Sequence, residues 1–145
     1  MRVSAFHLDD EIEKREQKTI SGIFAEHGEN YFRLKETEAL KSFAGKENFI
    51  LSTGGGTPCF HDNMEWMNNN GITIWIDESL DIIEERIKKE KVHRPLIASV
   101  PDQELREFLS EMLNKRRSFY SRAKYHVSGA GITETSFLQI VAVDE

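Results

Sequence analysis

The sequence predicts an α/β domain with a mostly parallel sheet, and three observations carry that prediction. Short apolar runs of strand character alternate with amphipathic stretches along the chain. The stretches between them have the length of helices, roughly 10–20 residues. Residues that cap helices or make turns stand at the junctions: Asp9-Asp10, Thr19, Gly28, Gly54-Gly55-Gly56 and Asn69-Asn70-Gly71.

Taken in order, Val3 to Leu8 reads as a short strand, and Asp9 or Asp10 is placed to cap the helix that follows through Ile12. Thr19 is placed to cap a helix carrying Ile20, Ile23 and Phe24, which Gly28 ends. A second helix runs from about Glu29 to Phe43, with Phe32, Ala39, Leu40 and Phe43 on one face. Asn48 to Ser52 reads as a buried strand that stops at the glycines. A helix from Asp62 to Asn69 leads to Ile72-Thr73-Ile74-Trp75-Ile76, the clearest strand in the chain. Leu80 to Lys89 reads as a helix with Leu80, Ile83 and Ile87 on one side. A charged segment ending at Arg94-Pro95, a long helix over about 102–122 and a last strand, Tyr125-His126-Val127, complete the pattern.

With 145 residues, 39% hydrophobic and 30% charged, the chain has the composition of one soluble domain with a buried core. A net charge of −6 argues against a general nucleic-acid surface, which needs a clustered basic face. No apolar run approaches the roughly 18 residues of a membrane span, and the acidic N-terminal stretch is unlike a signal peptide, so a cytoplasmic protein is expected. Cys59 is the sole cysteine; no internal disulfide forms, and a packed residue is its plainer reading beside a reactive thiol.

Open parallel sheets place ligands at the carboxyl ends of their strands, where Asp9, Asp10 and Gly54 to Thr57 are expected. The glycine run is not a phosphate loop. Gly54-Gly55-Gly56-Thr57-Pro58-Cys59 lacks the Lys-Ser/Thr of one common pattern and has Cys59 at the last glycine of the other. Ala44-Gly45-Lys46 is followed by Glu47 and has Leu40 at the first glycine position, so it fails as well. A glycine run at a strand end either lets a ligand approach the backbone closely or makes a permissive turn.

Asp9 between a strand and a helix has capping as its plainer reading. Arg33, between Phe32 and Leu34, must reach solvent or find an anion. Arg94 in VHRPLI and Arg116 in LNKRRSFY read singly as solvated charges.

Together these segments form a recognisable set. FHLDDEIEKREQKTISGIFAEHGENYFRLKETEAL, ILSTGGGTPCF, RPLI and KRRSFYSRA resemble, in order and spacing, the shikimate kinase family across nearly the whole chain. The resemblance implies a three-layer α/β/α P-loop fold of the nucleoside-monophosphate-kinase type, a single domain over 1–145, with a lid at about 88–101. It implies transfer of the ATP γ-phosphoryl to the 3-hydroxyl of shikimate, with Mg²⁺, in aromatic amino-acid (chorismate) biosynthesis, by a monomer that engages neither nucleic acid nor membrane.

By the same resemblance Asp9 holds the shikimate hydroxyls and accepts a proton, and Arg33 and Arg116 clamp the shikimate carboxylate. Gly54, Gly55 and Gly56 form the substrate-side glycine motif, with Gly55 the direct contact. Arg94 is the lid arginine that stabilises transition-state charge. A further family arginine near the nucleotide base falls at Arg86 or Lys88. No metal ligand is assigned, because His7 stands where the family has an aspartate supporting the magnesium shell. Ser118 stands where a proline is common after the second clamp arginine.

The family's first strand, its Walker loop and its first helix, roughly 30 residues by the size of a βαβ unit, have no counterpart in these 145 residues. The sheet is therefore expected to lack its middle strand between 48–52 and 72–76, and the C-terminal helix is expected to be short. An inactive shikimate-binding module and a non-functional remnant stand as alternatives to an enzyme.

Overall fold

The computed structural model describes residues 3–90 and 94–129. The expectation of a short C-terminal helix lies outside the described residues, as do residues 91–93 of the expected lid. The elements follow the α/β order: β1 (Ser4–His7), α1 (Leu8–Glu16), α2 (Ile20–Lys41), β2 (Phe49–Ser52), a 3₁₀ turn (Thr57–Cys59), α3 (Asn63–Asn70), β3 (Ile74–Asp77), α4 (Leu80–Glu90), α5 (Asp102–Tyr120) and β4 (Tyr125–Ser128). The chain packs as two compact units, one of residues 1–63 with 91–99 and one of residues 64–90 with 100–145.

In the first unit β1 and β2 pair in parallel, with Ser4 opposite Phe49 and His7 opposite Ser52. Phe6, Phe43 and Phe49 gather on this pair with ring centroids 5.2–6.3 Å apart. Leu8 and Ile12, four residues apart on α1, are wholly buried, as are Ile23 and Leu40 of α2. Burying each such side chain contributes about 1.5–3 kcal/mol. Thr19 caps α2 as expected, its Oγ1 accepting from the Gly22 N–H at 3.0 Å. Gly28 breaks the helix with φ 81° and ψ 176°, and Phe24 and Phe32 pack across the break with centroids 4.8 Å apart.

The start of α1 corrects one expectation. Neither Asp9 nor Asp10 caps it: His7 is the N-cap, without a side-chain cap bond, and both aspartates fall in the first turn. The strand passes directly into the helix because Leu8 must be buried to anchor it. The Asp9 carboxylate is thereby released from capping. It still gains from the positive end of the helix.

In the second unit β3 and β4 pair in parallel, Ile74 opposite Tyr125 and Asp77 opposite Ser128. Trp75 lies between Tyr120 and His126, stacked on the imidazole at 4.1 Å. α4 and α5 bury Ile87, Leu105 and Leu109. The strand expected over 72–76 runs over Ile74–Asp77, with Thr73 just before it accepting from the Tyr125 N–H at its carbonyl and the Lys124 N–H at its hydroxyl. Among the described residues β2 pairs only with β1 and β3 only with β4, so each keeps one edge free of a strand partner.

Candidate active site

The site grows from the second half of α2. Residues 32, 36 and 40 are spaced four apart and fall on one helical stripe. Phe32 and Leu40 on that stripe are core, yet the residue between them is Glu36, only 1% exposed. Arg33, 5% exposed, lies beside it and donates from Nη1 to Glu36 Oε1 at 3.0 Å. Its Nε donates to Glu29 Oε2 at 3.1 Å, and Nη2 lies 3.1 Å from the same oxygen. Of the two outcomes open to Arg33 in the sequence, solvent or an anion, the structure gives the second.

The glycine run closes over this arginine. A Cβ placed on Gly56 would stand 2.5 Å from Arg33 Nη2 and 2.6 Å from Nη1, so only glycine allows the guanidinium its place. Phe60, just beyond the 3₁₀ turn, lies under the guanidinium with Cζ 4.3 Å from the ring centroid, a favourable cation–π distance. Thr57 donates from Oγ1 to Glu36 Oε2 at 2.7 Å. A Cβ on Gly54 would meet Asp9 Oδ1 and Glu36 Oε2, each at 3.8 Å. Two carboxylates therefore approach the start of the run while a guanidinium backs its end.

The acids are perturbed accordingly. Asp9 is raised above its ordinary value of 3.8 by loss of solvent around it, then by Glu13; Arg94 pulls it back, Asp10 pushes it up again, and Arg33 opposes that. Glu36 is raised above 4.5 by burial, opposed by the Thr57 hydrogen bond and by Arg33, with Asp9 adding to the rise. Arg94 is exposed and within electrostatic reach of Asp9, so this unit assembles Asp9, Arg33, Gly54, Gly56 and Arg94. Gly55 is exposed at the tip of the run.

Arg116, Arg86 and Lys88 belong to the second unit. Arg116 is half-buried on α5. Arg86 pairs loosely with Glu78 at 3.9 Å, and Lys88 with Glu84 at 3.6 Å on its own helix. Sequence reasoning placed Thr57 at the ligand end of the sheet without giving it a role, and missed Glu36, Phe60 and Asn63. Glu36 alone had a visible signal, an acid set in the middle of an apolar stripe.

A buried guanidinium, already held by two carboxylates and backed by glycine, keeps N–H groups from its set of five for a third anion. The arrangement stands at the carboxyl ends of parallel strands, where proteins of the α/β class hold their ligands. The family model for shikimate kinase matches residues 1–144, and the chain belongs to the shikimate kinase family. The shikimate kinase of Phocaeicola vulgatus is 44% identical over 125 residues, covering 86% of this chain and 71% of the relative. That of Bacteroides thetaiotaomicron has a crystal structure that superimposes with a TM-score of 0.85 at 36% identity, over 97% of this chain and 83% of the other. The Acinetobacter baumannii enzyme, solved in complex with shikimate, shares the fold with a TM-score of 0.85 at 24% identity, over 99% of this chain and 80% of its own. The α/β fold, with parallel strands and, among the described residues, five α-helices, matches these kinases, and the chain is a shikimate kinase homologue. Among the described residues, no helix is long and apolar enough to cross a membrane.

Proposed function

We propose that the first unit is the acceptor half of a shikimate kinase, one domain that binds shikimate for ATP-dependent phosphorylation of its 3-hydroxyl. The observation that carries this reading is Arg33, buried between Gly56 and Phe60 with donors to spare. It takes the shikimate carboxylate; the family pattern in the sequence gives Arg116 as a second clamp. Gly54 and Gly55 offer backbone to the ring hydroxyls. Asp9, freed from capping and with its pKa raised by loss of solvent around it, orients the 3-hydroxyl and receives its proton as a carboxylate. Arg94, on a lid over 88–101, supplies positive charge facing Asp9. The protein is read as a cytoplasmic monomer with no nucleic-acid or membrane partner.

The donor side is different. ATP with Mg²⁺ would supply the phosphoryl group, but the glycine run does not fit a triphosphate, because its inner face is filled by the Arg33 guanidinium. Among the described residues no group of three or more metal-ligating side chains is assembled. The family pattern in the sequence gives Arg94, Arg86 and Lys88 as the cations for a nucleotide.

Calorimetric titration of the 145-residue polypeptide with shikimate is expected to show saturable binding that Arg33→Ala abolishes. Binding unchanged in Arg33→Ala overturns the reading. A shikimate-binding module without turnover is the second reading. For this polypeptide a coupled assay is expected to give no ADP release above background, and turnover near the usual 1–100 s⁻¹ of kinases overturns that reading.

A further inference from the structure

Thr57 lies at the end of the glycine run with no exposed surface. If packing alone mattered, valine would serve, since a buried hydroxyl is costly without a partner. The Thr57 hydroxyl has one, Glu36 Oε2 at 2.7 Å, while the other oxygen of the same carboxylate receives Arg33 Nη1 at 3.0 Å. Each oxygen of Glu36 thus has its own donor, and the carboxylate plane is fixed from two sides. Thr57 is itself held: its carbonyl accepts from Asn63 Nδ2 at 3.0 Å, and its N–H donates to the Gly54 carbonyl at 3.2 Å. Asn63, also without exposed surface, has its amide oriented by the Thr37 hydroxyl, which donates to Oδ1 at 3.1 Å. The chain Thr37, Asn63, Thr57, Glu36, Arg33 leaves α2, crosses the loop and returns to α2.

We propose that Thr57 is a positioning residue for acceptor binding: its hydroxyl fixes Glu36, and Glu36 fixes the direction in which Arg33 presents its remaining N–H groups. The proposal rests on the reading of Arg33 as the clamp for the acceptor carboxylate. Without the hydroxyl, Glu36 Oε2 is left in the core lacking that donor, facing Arg33 and Asp9, and the carboxylate turns or takes up a proton.

The test compares Thr57→Val, which keeps shape, with Thr57→Ser, which keeps the hydroxyl, in the full chain. Two readouts are used: shikimate affinity by calorimetry, and the Glu36 carboxyl titration followed by ¹³C NMR. Thr57→Val is expected to weaken shikimate binding about tenfold, the effect of losing one hydrogen bond to a charged group, and to move the Glu36 titration to higher pH. Thr57→Ser is expected to restore both. Wild-type affinity together with an unshifted titration in a folded Thr57→Val overturns the proposal. If the wild-type chain takes no shikimate, the acceptor-site reading falls and the positioning role falls with it; wild-type binding that a folded Thr57→Val leaves intact overturns the positioning role alone.

Discussion

Gly56 and Arg33 share one volume: the space a β-carbon would occupy on the first is filled by the guanidinium of the second, 2.5 Å away. The loop and the helix are therefore matched most tightly at this pair of residues.

Gly56→Ala is the direct probe of that match. The guanidinium must withdraw from the loop, leaving its bonds to Glu29 and Glu36 and its seat on Phe60. Shikimate affinity is expected to fall about tenfold or more while overpacking costs about 1–3 kcal/mol. Calorimetry and urea unfolding measure the two separately.

Arg33 and Glu36 form an ion pair nearly closed to solvent. Removing one partner leaves the other charge stranded, so Arg33→Ala is expected to cost about 3–5 kcal/mol in urea unfolding. The double replacement Arg33→Met with Glu36→Leu is expected to recover most of that stability and none of the shikimate binding. Recovery of binding would remove Arg33 from the site.

Stability should carry the pH signature of Glu36. Its pKa in the folded chain is raised above 4.5 by burial. A raised folded pKa means that the folded state holds the proton more tightly. Its contribution is complete below pH 4.5 and is lost as pH climbs through the raised value. Asp9 adds a loss of the same sign, starting from 3.8. Urea midpoints between pH 4 and pH 8 are expected to decline less steeply with rising pH in Glu36→Gln than in the wild type. An identical slope would place Glu36 at its ordinary pKa.

At Gly28 the combination of φ 81° and ψ 176° is open essentially to glycine alone. No atom beyond its chain neighbours lies within 4 Å of an added Cβ, so the penalty for Gly28→Ala is one of backbone conformation. It is expected to be about 1–3 kcal/mol by urea unfolding, and Gly28→Asn is expected to give no relief, because asparagine favours a different left-handed region.

Much of this architecture was legible from the chain. The helical break at Gly28 and the Thr19 cap follow from local chemistry that operates whatever the rest of the fold does. The alternation around β2 and β3 is as direct. What the sequence hid depends on residues distant in the chain. Asp9 looks like a cap until Leu8 is seen in the core, with the helix start two residues earlier than an Asp9 cap would give. Arg33 looks solvated until residues 56 and 60 fold over it. Thr57 and Asn63 are ordinary loop and helix-start residues by composition, and their roles arise only when α2 and the loop meet.

The break at Gly28 has a consequence for how such chains tolerate change in length. A continuous helix transmits every inserted residue as a turn of about 100° to all that follows. Here the backbone resets its direction at Gly28, so the phase of Glu29, Arg33 and Glu36 is set by their own packing rather than by the helix start at Thr19. Insertions or deletions between the cap and the glycine can be absorbed there, whereas a single inserted residue between Arg33 and Leu40 would swing one end of the site out of the core.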